Sequence, residues 1–146
     1  MNHPLPQPGQ LIDPAPALPI PRLLLAMRRM TAHGVRDAYA ANMLIAGLGI
    51  RFRLPLVLLR AFILEIAQTS RRTIIMAPCC AMRMTADETL LLTALMTARL
   101  DPRGASKALR EVTQSGAIQS PLSLAATLGE ALGDTLDESG FLSGGE

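Results

Sequence analysis

Residues 50–70 read IRFRLPLVLLRAFILEIAQTS, and from Pro55 to Gln68 the only polar side chains are Arg60, Glu65 and Gln68. A helix that is apolar nearly all round has to be covered on most sides by neighbours. The segment 55–69 is therefore expected near the centre of a helical bundle, or buried where two copies meet. Leu59, Arg60, Phe62 and Ile63 are the candidate residues of such an interaction surface. Arg60 then needs a partner, because an unpaired guanidinium is costly away from water. Glu65 lies roughly 140° further around the helix and is a poor mate. Asp37, on another helix, is the better candidate. The plain alternative is that the Arg60 stem snorkels to the surface.

Composition extends this expectation to the whole chain. Apolar residues make up 49% of the 146, yet aromatics are only 3% and tryptophan is absent. Core packing must come from Leu, Ala, Met and Ile, which suits helices layered on helices better than a sheet. The fold class expected is all-α, a compact bundle of five or six helices in one domain over 21–138. Residues 1–20, rich in proline, read as a disordered arm, and 139–146 as a disordered tail. The mean hydropathy of +0.30 is high for a soluble protein. That apolar surplus points to surface covered by a partner, most simply a second copy of the chain.

Local signals place the helices. Pro21 precedes RLLLAMRRMTAH, whose Leu23, Leu24, Met27 and Met30 share a face, and Gly34 ends it. Asp37 caps DAYAANMLIAG, which Gly47 and Gly49 stop. RRTIIMAP reads as an extended connector over 72–77, with a short strand as the alternative. Thr85-Ala86-Asp87-Glu88 is a capping box opening a helix that runs to Asp101. Asp101-Pro102 opens the next, ended by Gly116, and Ser120-Pro121 the last, which Gly129 and Gly133 weaken. No internal repeat is present.

Charge is unevenly spread. Residues 22–83 hold ten arginines against two carboxylates, and residues 84–146 hold four basic against nine acidic side chains. Either the basic half attracts an anionic partner, or the two halves pack together and neutralise each other. The second reading is preferred, because no aromatics interleave with the arginines as single-strand binders require. AANMLIAGLGIRFRLPLVLLRAF loosely resembles helix-turn-helix spacing, but its second helix offers base edges almost nothing polar. A DNA-binding regulator is thus a third reading, and nucleic acid is not the expected partner. No catalytic or nucleotide-binding motif is present, so no enzyme is expected. With no signal-peptide pattern, and with Arg60 and Glu65 interrupting the longest apolar run, no membrane span is expected and the cytoplasm is the expected location.

One stretch holds a different chemistry. APCCAMRMTADE, residues 77–88, brings Cys79, Cys80, Met82 and Met84 within six residues. Thiolate and thioether sulfurs select soft metals such as Cu(I). A closed zinc site would need a second cysteine pair, which is absent, and His3 and His33 have no ligand spacing. Arg71, Arg72 and Arg83 flank the cysteines and favour a thiolate, so a thiol-based redox sensor is the companion reading. The preferred reading is structural, with the cysteines buried as small apolar groups, and on that reading no cofactor is expected.

The combination of RLLLAMRRM, RLPLVLLRAFILEIA and APCCAMRMTADETLL resembles a family of small alphaproteobacterial proteins of unknown function. In that family a proline-cysteine-cysteine segment leads into a capped helix. The resemblance spans roughly residues 22–100 and implies a bacterial cytoplasmic protein with no assigned activity. The leading expectation is a self-associating interaction or regulatory module. The alternative is a redox sensor or soft-metal binder centred on Cys79 and Cys80.

Overall fold

A computed structural model describes residues 18–133 and 136–137. They form six α-helices: α1 (Ile20–His33), α2 (Ala38–Leu48), α3 (Arg53–Thr69), α4 (Ala86–Thr97), α5 (Pro102–Thr113) and α6 (Gln119–Leu132). The all-α bundle expected from composition is what the chain builds. A two-residue parallel pairing, Leu18 with Leu136 and Pro19 with Asp137, ties the start of the described chain to its end. Leu18 and Ile20, assigned to the arm by sequence, are buried in the core. The rest of that arm and the tail at 139–146 lie outside the described residues.

Each helix begins and ends for a local reason. The Asp37 carboxylate accepts from the Ala40 amide at 2.9 Å and caps α2. Gly47 is buried within α2 rather than stopping it; Gly49, at φ +60°, is the turning point. A single 3-10 turn, Gly49–Phe52, then feeds directly into α3. Pro55 falls in the first turn of α3, where its missing N–H has no intrahelical acceptor to lose. Thr85 and Glu88 form the full capping box at α4. Asp101 caps α5 through the Gly104 amide, and a Cβ at Gly104 would collide with that carboxylate. Gln114, not Gly116, ends α5 in the left-handed region. The 72–77 segment is an extended connector without strand pairing.

The packing shows how far each helix is covered. Helix α4 lies against both α5 and α6, and buries Leu91, Leu92, Ala94 and Leu95. Gly129 of α6 faces the Leu95 carbonyl of α4, where an added Cβ would make only an ordinary van der Waals contact of 3.5 Å. Helix α3 packs on α6, with further contacts to α1 and α2, and Leu56, Leu59, Phe62, Ile63 and Ile66 point inward. Leu54, Val57 and Leu64 are exposed on the other side. The expectation that α3 is enclosed is therefore corrected.

Candidate functional site

Two features stand apart from the core: the sulfur-bearing loop before α4 and the outer face of α3. The loop is held from beneath by charge. Arg28, on α1, is 5% exposed and meets Glu88, which is fully buried, through two hydrogen bonds of 2.7 and 2.9 Å. The same guanidinium donates to the carbonyls of Ala81 (2.8 Å) and Arg83 (3.0 Å). Glu88 accepts in turn from the amides of Ala77 and Thr85. One buried ion pair thus fixes the backbone at 77, 81, 83 and 85. Beside it, Asp87 takes a forked contact from Arg72 and the Ile75 amide at 2.7 Å, while Arg72 also reaches the Val112 carbonyl.

Charge states follow from these contacts. Burial pushes the Glu88 carboxyl up. The hydrogen bonds from Arg28, Thr85 and Ala77, with the Arg28 charge, outweigh it and hold the group below its ordinary value. The hydrogen bond to Glu88 keeps Arg28 charged against burial, and the charges of Glu88, Cys79 and Cys80 add to it. Arg29 is held above its ordinary value first by its hydrogen bonds to Asp37, which outweigh burial. Both arginines of α1 are thus already neutralised by a carboxylate, Arg28 by Glu88 and Arg29 by Asp37.

Cys79 and Cys80 are free thiols, and both are exposed. The expectation of cysteines packed as buried apolar groups is corrected. Met82 is 99% exposed, and Met84 is exposed as well. A cavity of about 260 Å³ opens between the start of α1 and this loop, lined by Leu24, Leu25, Arg28, Cys79, Met82 and Met84. Cys80 does not line it. Three of the four sulfur residues singled out by sequence therefore share one hollow. Among the described residues, no cluster of three or more His, Cys, Asp or Glu side chains is arranged to hold a metal.

The α3 residues named from sequence are placed differently. Leu59 and Phe62 are fully buried in the chain's own core and Ile63 nearly so, which leaves them no part in an outer surface. Arg60 donates to the Val35 carbonyl at 2.9 Å, whereas Asp37 is taken by Arg29. The apolar residues on the outside are Ile50 (95% exposed), Leu54 (57%), Val57 (58%) and Leu64, which sequence reasoning did not single out. Their spacing was the available signal. A hollow of about 370 Å³ adjoins the Leu64 end of this face, between α1, α3 and the connector. The nearly continuous helical stretch Ala38–Thr69 also has the length and hydropathy of a membrane-crossing helix, with 33% of its most apolar window buried. Core helices of soluble proteins meet the same measure.

The fold and these features define a small all-α protein with a pinned sulfur loop and an uncovered apolar helix face. The chain belongs to the family of unknown function DUF6628, whose model matches residues 11–141. That match extends beyond residues 22–100, where the resemblance was drawn. No curated protein and no solved structure matches the chain.

Proposed function

We propose that the protein is a self-associating helical module in which the outer face of α3 pairs, antiparallel, with the same face of a second copy. The observation that carries this reading is a repeat. Leu54, Val57, Ala61 and Leu64 of α3 recur at steps of three, four and three, Ile50 extends the row from the preceding 3-10 turn, and the four large residues among them are exposed. That is the narrow seam of a coiled coil, not the broader apolar face with which a helix lies on a membrane. A twofold axis near the middle of α3 sets each Ile50 against the Leu64 end of its partner, where the hollow of about 370 Å³ lies. It also brings Arg51 of one copy toward Glu65 of the other. Within the chain, the ion pairs among the described residues are Arg28–Glu88, Arg29–Asp37 and Arg72–Asp87, so Arg51 and Glu65 are left for this contact.

A seam built on one helix face is small, so association in the micromolar range is expected. Sedimentation across that range is expected to show a dimer that Val57→Glu converts to a monomer. Arg51→Glu or Glu65→Arg alone weakens it, and the two together restore it, because the swapped charges again face each other. A wild-type chain that stays monomeric at high micromolar concentration overturns the reading. So does a monomer that co-sediments with lipid vesicles through the same face, which assigns the seam to a membrane surface.

A further inference from the structure

We propose that Cys79, Met82 and Met84 form a binding site for one soft monovalent metal ion of the copper(I) class. The three side chains line the same cavity, beside Arg28. One thiolate with two thioethers is a set that soft ions accept and that hard oxygen-seeking ions do not. Zinc prefers four ligands of the Cys, His, Asp or Glu kind, and no such group exists among the described residues.

Two further observations make this more than a run of sulfur in the sequence. First, the loop backbone is immobilised at 77, 81, 83 and 85 by the Arg28–Glu88 pair, yet Cys79, Met82 and Met84 point outward. A buried ion pair is a large outlay for a loop with no packing role, and it suits a ligand set that must be held ready. Second, Met82 is almost wholly in water, so its thioether serves no core. Its three rotatable bonds let the sulfur swing over the cavity.

The ion pair beneath the loop leaves the cavity open to a cation. Arg28 lines the cavity with Cys79, and Glu88 cancels its charge toward an arriving cation. Binding breaks the Cys79 S–H bond, forms a sulfur–metal bond and releases the proton to solvent. The metal does not change oxidation state. Cys80 lies outside the cavity and has no part in the set.

The test is a competition between the reduced full-length chain and the chelator bicinchoninate for Cu(I), without oxygen. The wild type is expected to take one equivalent. Cys79→Ser is expected to leave the copper with the chelator, the Met82→Leu/Met84→Leu double variant to lose part or all of it, and Cys80→Ser to retain it. Unchanged helical circular dichroism shows that each variant folds, as exposed side chains should allow. Copper left wholly with the chelator by the wild type overturns the site. So does full retention by Cys79→Ser or by the double methionine variant. Retention by monomeric Val57→Glu separates this site from the α3 seam.

Discussion

At the scale of single residues, the Arg28–Glu88 pair carries the largest consequence. Its two partners are 60 positions apart, and together they close four backbone hydrogen bonds over the sulfur loop. Glu88→Gln removes the charge while nearly keeping the shape, leaving a buried guanidinium without its anion. The expected loss is about 3–5 kcal/mol, measured by urea unfolding at neutral pH. The same pair sets an acid limb. Because the folded Glu88 carboxyl lies below its ordinary value of 4.5, its contribution is complete above that value and is lost as pH falls through the folded one. Asp37, held down by Arg29 and the Ala40 amide, acts in the same direction from 3.8. Stability is expected to fall on acidification below these values, and Glu88→Gln to flatten that fall.

At the scale of elements, the helix starts were legible and some stops were not. Thr85-x-x-Glu88 and Asp101-Pro102 act within four residues, so their sequence nearly determines their geometry. The end of α5 shows the limit. Gln114 takes φ +54° although Gly116 stands two residues on, because the packing of Val112, Thr113 and Ile118 sets where the chain must turn. A β-branched side chain tolerates that conformation poorly. Gln114→Val is expected to cost roughly 1–2 kcal/mol and Gln114→Asn almost nothing, compared by thermal melting. Helix α3 shows another limit. Its inward residues Leu59, Phe62 and Ile66 and its outward residues Leu54, Val57 and Leu64 are chemically alike. Hydrophobicity alone therefore did not tell them apart.

At the scale of the molecule, that distinction is measurable. Phe62 is among the largest fully buried side chains, so Phe62→Ala is expected to destabilise by about 3–5 kcal/mol. Val57→Ala, at concentrations where the chain is monomeric, is expected to stay within about 0.5 kcal/mol. Equal effects from both would mean that α3 is enclosed after all.

The helical class and the caps of α2, α4 and α5 followed from residues close together in the chain. Each depends on periodicity or on hydrogen bonds a few positions long, and such interactions need no neighbour to be settled. Which side of α3 is left open and which carboxylate answers Arg28 depended on the tertiary structure. These are matters of long-range pairing. Asp37 and Glu88 were equally acidic in the sequence, and only the approach of α1 to the start of α4 brought one of them to Arg28. The exposure of Cys79, Cys80 and Met82 belongs with them, because a sulfur side chain is equally at home in a core and at a metal, and what packs over it decides between the two.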